Sequence, residues 1–247
     1  MKILSFNVLC RDWQPRVPLV TATIRAEAPD LFGLQEAHAG WMDAICDAFP
    51  DYDYVGIGRD DGKREGEFSP VFYKKDRFEL LDSDHFWLSE TPDRPGKGWD
   101  AACIRICSWA LLKDKTTGRR FAAMDTHLDH RGDVAADQGM ALILDRAARF
   151  GDLPVLLMGD FNSFPDSAPY RRAAAAGFSD ARAIAPVRDE TPTFHNFGDP
   201  DDNAYQKIID YIFVKNCKSV DSFRVLTDRQ DGHLPSDHYP VFATVDV

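Results

Sequence analysis

The sequence predicts an α/β domain with mixed β-sheets, and two observations carry this prediction. Short apolar runs, typical of buried or half-buried strands, recur from one end of the chain to the other. Segments with helical apolar spacing lie between some of them, whereas other stretches contain only strand and loop patterns, which indicates antiparallel as well as parallel pairing. No internal repeat or Ser/Gly-rich linker interrupts the pattern, so we expect one domain over residues 1–247.

The predicted elements follow these patterns in chain order. Strands are expected at residues 3–6, 31–34, 71–73, 121–124, 155–158, 208–214 and 241–245. Helices are expected at residues 17–28, 41–49 and 134–150, which end at Pro29, Pro50 and Gly151. The Gly- and charge-rich loops 56–66 and 90–100 are expected to form functional rims. The acidic stretch 199–203 lacks the spacing of an EF-hand and is expected to be a solvated turn.

The composition indicates a folded protein and limits its partners. Hydrophobic residues make up 44% of the 247 residues and charged residues 28%, as in ordinary globular proteins. Lys and Arg number 29 against 40 Asp and Glu, which gives a net charge of −11. Because nonspecific nucleic-acid binding depends on clustered Lys and Arg, this charge argues against it, and no basic run suits a duplex groove. A small phosphorylated substrate and nucleic acid held by metal ions both remain compatible with this charge.

The cysteines and the apolar runs indicate the compartment. Five cysteines, an odd number without a CxxC pair, favour reduced thiols over disulfides or a thiolate zinc site. The apolar runs are far shorter than the roughly 20 residues of a membrane helix, and the N-terminus lacks the features of a secretory signal. We therefore expect a cytoplasmic monomer without membrane contact; a secreted or periplasmic location applies if a signal peptide has been removed.

Several predicted strands are followed by residues that titrate or bind metals, and strand ends of layered α/β folds converge on one rim. These residues are Asn7, Glu36, His127, Asp160, Asn162, Asp210, Asp237 and His238. Each alone is explained as a turn residue, a helix-entry charge or a hydrogen-bonded imidazole. Together, however, the carboxylates would repel one another without a cation. Carboxylate and amide oxygens favour Mg²⁺ or Mn²⁺.

The motifs at these positions resemble those of the endonuclease/exonuclease/phosphatase superfamily. They occur in family order along almost the whole chain: Ser5-Phe6-Asn7, Leu34-Gln35-Glu36, a strand at residues 67–73, Thr126-His127-Leu128, Gly159-Asp160-Phe161-Asn162, Ile209-Asp210-Tyr211, and Ser236-Asp237-His238. The segments 86–92, 97–100 and 105–109 resemble a bacterial branch near the deadenylase, nocturnin and sphingomyelinase side of the superfamily.

The resemblance implies a four-layer α/β/β/α sandwich and assigns roles by position. Asn7 and Glu36 match first-metal positions, with one or two Mg²⁺ or Mn²⁺ ions expected. Asp160 and Asn162 match the pair that holds the attacking water and the phosphate oxygens. The resemblance also places Asp160 beside a metal ion. Asp237 would complete the metal region, and Asp210 would orient His238 as a catalytic imidazole.

Further residues are candidates for a second imidazole pair and for the pocket wall. Glu67 is expected to orient His127, with a solvated edge-strand charge as the alternative. Arg105, Trp99, Trp109 and His130 are expected to line the pocket, since arginine clamps phosphate and an aromatic ring supports a base or sugar. For both tryptophans the alternative is a core or loop position.

These patterns predict a metal-dependent phosphoesterase that cleaves an ester or diester of a small organic phosphate by in-line attack of water. Two alternatives stay open. One is a nuclease acting on single-stranded RNA or DNA, which would stack bases on aromatic side chains. The other is an inactive binding module on the same scaffold, although the intact motifs speak against it.

Overall fold

The computed structural model describes residues 1–198, 207–230 and 232–247, and within these ranges strand residues outnumber helical residues. In chain order the strands are β1 (Lys2–Asn7), β2 (Leu31–Gln35), β3 (Ala37–His38), β4 (Tyr52–Val55), β5 (Glu67–Phe68), β6 (Val71–Lys74), β7 (Phe78–Trp87), β8 (Ile106–Asp114), β9 (Arg120–His127), β10 (Val155–Asp160), β11 (Ser179–Asp180), β12 (Val187–Arg188), β13 (Asp210–Lys215), β14 (Ser219–Val225) and β15 (Val241–Asp246). The helices are α1 (Val17–Glu27), α2 (Ala39–Ala48), α3 (Asp133–Ala148), α4 (Ala168–Ala175) and α5 (Ala181–Ile184).

The strands form two large mixed sheets. The first has the order β12-β14-β15-β1-β2-β6-β4, in which β1 pairs parallel with β2 and antiparallel with β15. The second has the order β11-β13-β10-β9-β8-β7, in which β10 pairs parallel with β9 and antiparallel with β13. The prediction of mixed sheets is therefore confirmed.

Alternating side chains give each sheet two buried faces. Ile3 of β1 packs in one core cluster with Met158 and Ile212 of the second sheet, so the two sheets lie face to face. The next residue, Leu4, points the other way and joins the cluster that contains α1 and α2. On the far side of the second sheet, Leu157 packs in a cluster with residues of α3 and α4. The order of layers is α/β/β/α, as the resemblance implied.

Most predicted elements are present, with shifted ends. Helix α1 ends one residue early, because Ala28 adopts a left-handed conformation with φ of 45°. The strand predicted at 67–73 is wrong as one element: it divides into β5, which pairs with β3, and β6, which pairs with β2 and β4. The break lies at Pro70, which has no N–H to donate to a ladder. The acidic stretch 199–203 lies outside the described residues.

None of the helices in the described ranges combines the length and the apolar character that crossing a lipid bilayer requires.

Candidate active site

The residues predicted to act in catalysis and metal binding lie at strand ends, along one edge of the sandwich. Asn7 ends β1 in register with Gln35 of β2, so Glu36 follows beside it. In the second sheet Asp160 is the register partner of both His127 and Asp210, because β13 begins where its antiparallel neighbour β10 ends. Glu36, directly after β2, and Asn162, two residues after the end of β10, have φ of 61° and 47°, a conformation that costs non-glycine residues free energy.

A pocket of about 270 Å³ opens at this edge. Most of the predicted site residues line it, namely Glu36, Glu67, Arg105, His127, His130, Asp160, Asn162, Asp237 and His238. Three further residues line it that sequence reasoning missed: Arg59, Cys103 and Phe194. Arg59 belongs to the loop 56–66 that the sequence marked as a rim, whereas the Phe194 ring packs 4.8 Å from the His238 ring and had no recognisable signal.

Asp160 is the centre of the site, with 1% of its surface exposed. Its Oδ1 accepts from the backbone N–H of Asn162 at 2.8 Å, and its Oδ2 accepts from Asn7 Nδ2 at 3.0 Å. The same oxygen lies 3.3 Å from His127 Nε2 and 3.7 Å from His238 Nε2. Burial, together with the nearby charge of Asp210, raises the pKa of Asp160 to about 7. A carboxyl with this pKa exchanges protons near neutral pH.

His238 and Asp210 form a buried imidazole and carboxylate pair, with Nδ1 and Oδ2 2.9 Å apart. Burial alone would lower the pKa of His238, but the charges of Asp210 and Asp160 outweigh burial and raise it to about 10. The imidazole is therefore charged at neutral pH and presents Nε2 to the pocket side.

Glu36 and Asp237 form the acidic wall of the pocket. Glu36 accepts from Asn7 Nδ2 at 3.1 Å and from the backbone N–H of Cys10 at 3.0 Å. Burial opposes ionisation of Glu36, but these hydrogen bonds prevail and lower its pKa. Burial raises the pKa of Asp237, and the charge of Glu36 adds to this effect.

Asn7 faces these carboxylates with its amide nitrogen. Its Oδ1 accepts from the backbone N–H of Leu9 at 3.0 Å, which fixes the orientation of the amide. Ligation of a metal by Asn7 stays a prediction, since its oxygen accepts one hydrogen bond from the following turn and has a second lone pair. The Asn7 amide nitrogen joins Glu36 to Asp160.

The donor set fits a hard divalent cation. Glu36, Asp160 and Asp237 present carboxylates to one pocket, and the raised pKa values of Asp160 and Asp237 express a shortage of positive charge around them. Such a cation relieves that shortage, and oxygen ligands are those that Mg²⁺ and Mn²⁺ prefer. These are the pocket carboxylates from which its ligands would come, and Glu36 and Asp160 each also lie in a group of three possible ligands, Cys10, Glu36 and Glu67 in one and Asp160, Asp210 and His238 in the other.

The second predicted pair, Glu67 and His127, lies at ion-pair distance without a hydrogen bond between the two side chains. His127 Nδ1 lies 3.9 Å from Glu67 Oε2, and Glu67 instead forms an ion pair with Arg59 at 2.5 Å. The orienting role of Glu67 toward His127 stays a prediction, and Arg59 of the loop 56–66 is the direct partner of Glu67. His127 Nε2 lies 2.9 Å from Asn162 Nδ2, which also donates to the carbonyl of Leu128. Burial, followed by the charges of Arg105 and Arg59, holds the pKa of His127 well below its usual range, so it is neutral.

Arg105 and Arg59 form the cationic wall of the pocket. Arg105 is 5% exposed, its Nη2 lies 3.2 Å from His130 Nδ1, and its Nε lies 3.6 Å from Asp129 Oδ2. Asp129 also accepts from the backbone N–H groups of residues 102, 103, 131 and 132, which fixes the two loops beside the pocket. The Nε atoms of both arginines are buried without a hydrogen-bond partner in the described part of the chain.

Neither predicted tryptophan lines this pocket. Trp109 is 2% exposed and packs edge-on against Phe150, with the Arg149 guanidinium 4.5 Å above its ring. It belongs to the core between the second sheet and α3, so the prediction of a pocket role is wrong. Trp99 is half-buried in the loop 90–100, where its backbone N–H donates to Glu90. The core and loop alternatives describe both residues.

The model of the Endonuclease/Exonuclease/phosphatase family matches residues 4–238. The chain belongs to this family. A family member from Bacteroides vulgatus is 36% identical, with a TM-score of 0.94, over 100% of this chain and 98% of its own. A mannosyl-6-phosphatase from Bacteroides thetaiotaomicron is 35% identical, with a TM-score of 0.92, over 100% of both chains.

A curated relative lies on the deadenylase side of the family, where the sequence placed this chain. Mouse nocturnin is 25% identical over 92% of this chain and 56% of its own length. The chain thus spans about half of this relative. The family is named for endonucleases, exonucleases and phosphatases, and one of the two structural relatives above is named as a sugar phosphatase.

Proposed function

We propose that this protein hydrolyses the phosphate monoester of a small hydroxylated molecule, with Mg²⁺ or Mn²⁺, by in-line attack of water. The observation that carries the proposal is the division of one small pocket into an acidic wall, Glu36, Asp160 and Asp237, and a cationic wall, Arg59 and Arg105. A terminal phosphate carries close to two negative charges and three acceptor oxygens, and guanidinium groups bind such groups in a bidentate manner.

The size of the pocket supports a small substrate. Its volume of about 270 Å³ lies just below the roughly 300–1,000 Å³ of most ligand pockets. The mannosyl-6-phosphatase, which matches the chain over its full length at 35% identity, acts by its name on a sugar phosphate. Single-stranded nucleic acid is less well supported, because Trp99 and Trp109, the expected base-stacking surfaces, lie outside the pocket lining.

Each residue of the site has a separate role in the proposed reaction. Asp160 accepts a proton of the attacking water as the water oxygen bonds to phosphorus; the ester P–O bond breaks on the opposite side, and the leaving oxygen takes a proton from solvent. The charged imidazole of His238, held by Asp210, donates a hydrogen bond to a phosphoryl oxygen as negative charge develops there. The Asn162 amide and the neutral His127 position the phosphate, and Arg59 with Arg105 binds its remaining oxygens. A bound cation would lower the pKa of water and neutralise phosphate charge.

The proposal is tested by assaying purified protein against sugar phosphates, nucleoside monophosphates, an aryl phosphodiester and single-stranded oligonucleotides. Each assay runs with Mg²⁺, with Mn²⁺ and with chelator. We expect kcat/KM for a sugar monoester to exceed that for the diester by about 10²-fold. Preference for oligonucleotides would establish the nuclease alternative, and inactivity on every substrate with intact metal binding would establish a binding module.

Variants test the assigned roles. Asp160→Ala and His238→Ala should each reduce turnover below detection in protein that stays folded, which circular dichroism checks; His238→Ala should also lower the melting temperature, because it leaves the buried Asp210 carboxylate without its partner. Turnover retained in both variants would refute the mechanism even if the substrate class were right.

A further inference from the structure

Arg16 is buried outside the pocket lining and uses every donor of its side chain on the backbone. It is 8% exposed and ends a short 3₁₀ turn directly before α1. Its guanidinium donates to five carbonyl groups: Asp12 at 3.1 Å, Val8 at 2.5 Å, Leu9 at 2.6 Å, Arg11 at 2.5 Å and Pro235 at 2.9 Å. A guanidinium has five N–H groups, so none remains for solvent.

These contacts join two segments that carry site residues. Residues 8–12 follow Asn7 directly, and Pro235 precedes Ser236, Asp237 and His238. The same segments meet again where Ser236 Oγ donates to the carbonyl of Asn7 at 2.7 Å. The two segments are distant in sequence, and the Arg16 guanidinium and the Ser236 hydroxyl hold them side by side.

The segment held by Arg16 has an unusual backbone. Leu9 and Asp12 have φ of 56° and 47°, which non-glycine residues adopt only when their surroundings impose it. This conformation directs the Leu9 N–H to the Asn7 side chain and the Cys10 N–H to Glu36. The Arg16 guanidinium also lies 5.4 Å over the Trp41 ring, and Trp41 Nε1 donates to the Leu9 carbonyl, so the anchor itself is fixed.

We propose that Arg16 is a positioning residue for the acidic wall: it holds residues 8–12 and 235–238 in register, so that Glu36 and Asp237 converge on one cation. This inference rests on the proposed metal-dependent function. Lysine cannot replace arginine here, because a single ammonium presents three donors from one point rather than five in a planar fork. Groups that orient metal ligands from behind typically contribute about 10–100-fold to metal affinity.

The test compares Arg16→Met and Arg16→Lys with a matched control, Arg77→Met. Arg77 is also a partly buried arginine, but it pairs with Asp30 and Asp114, and Asp30 precedes the start of β2 whereas Glu36 follows its end. Two quantities are measured: the affinity for Mn²⁺ by calorimetry, and amide hydrogen exchange of Leu9 and Cys10 without metal.

We expect Arg16→Met to weaken Mn²⁺ binding by about 10–100-fold and to expose both amides to exchange, with Arg16→Lys intermediate. Arg77→Met should lower the melting temperature and leave Mn²⁺ affinity unchanged. The inference is overturned if Arg16→Lys binds Mn²⁺ with wild-type affinity and protects the Leu9 and Cys10 amides as the wild-type protein does. This outcome decides the question even if Arg16→Met does not fold. If the wild-type protein itself binds no Mn²⁺, the proposed function fails, and the exchange of the Leu9 and Cys10 amides still decides whether Arg16 holds this segment.

Discussion

Replacing Asp210 with asparagine tests the imidazole side of the site at nearly constant volume. Asp210 Oδ2 lies 2.9 Å from His238 Nδ1, and both residues are buried. Burial acts to lower the pKa of His238, yet Asp210 and Asp160 raise it from 6.5 to about 10. Asparagine keeps a hydrogen-bonding group and removes the charge, so we expect His238 to be largely neutral at pH 7 in the variant.

The magnitude follows from two effects. Loss of a charged donor beside the phosphoryl group should lower kcat at pH 7 by about 10²–10⁴-fold, the usual contribution of acid–base groups. Removing one partner of a buried ion pair costs about 3–5 kcal/mol when the other stays charged. Because His238 loses its proton in Asp210→Asn, we expect the free energy of unfolding to fall by about 3 kcal/mol or less. At roughly 2–4 °C per kcal/mol, this is a loss of at most about 12 °C in melting temperature.

The pH dependence supplies a separate readout. Since the folded-state pKa of His238 lies above the usual 6.5, its charged form contributes stability that is fully present below pH 6.5 and is lost as the pH rises through about 10. Urea unfolding across this range should show that decline in the wild-type protein and a flatter curve in Asp210→Asn. Asp180→Asn is the control, because Asp180 is a buried carboxylate of the same sheet bonded to Tyr170 and the Arg182 amide.

The reasoning fails if Asp210→Asn, folded as the wild type, keeps wild-type kcat, or if its stability declines with pH as steeply as that of the wild-type protein. Asp180→Asn should lose stability and keep its kcat, which separates a general cost of burying an amide from the effect on His238.

Three further predictions concern the pocket walls and the core. Glu36→Gln should weaken Mn²⁺ binding by more than about tenfold in calorimetry, because a carboxylate ligand is lost, and unchanged binding would remove Glu36 from the metal site. Arg59→Met should raise KM for a phosphate monoester about tenfold with little change in kcat, since it removes binding common to the ground and transition states; an equal loss in kcat would contradict this. Trp109→Ala should cost about 3–5 kcal/mol of unfolding free energy in urea titration and leave KM unchanged, whereas a raised KM would restore the predicted pocket role.

The sequence predicted the parts of the site that lie directly at strand ends. Glu36, Asp160 and Asp210 are fixed by the apolar run next to each of them, because the run sets where the strand stops and sheet geometry then brings the ends together. The same logic located His127 beside Asp160. The apolar pattern of each strand was sufficient to locate these residues, because hydrogen-bonded neighbouring strands align their ends.

Residues whose position depends on loops or on the choice of face were not predictable in this way. Strand β8 is buried on both faces, so its pattern does not reveal that Trp109 points to α3 rather than to the site. Arg59 reaches Glu67 only through the fold of the loop 56–66, and Arg16 reaches Pro235 across 219 positions of sequence. Long-range hydrogen bonds of this kind leave no periodic signal.

The net charge of −11 takes on a more specific meaning at the pocket. Part of the surplus is the acidic wall, whose raised pKa values at Asp160 and Asp237 are the response of carboxyl groups that lack a counter-charge. The cationic wall, Arg59 and Arg105, faces the same pocket of about 270 Å³, so attraction for an anion is confined to that pocket. A long polyanion would gain from these two arginines and would be repelled by the net negative charge of the protein. The net charge disfavours a long polyanionic substrate, and the cationic wall of the pocket favours a terminal phosphate. Both observations therefore favour a small phosphate monoester as the substrate class.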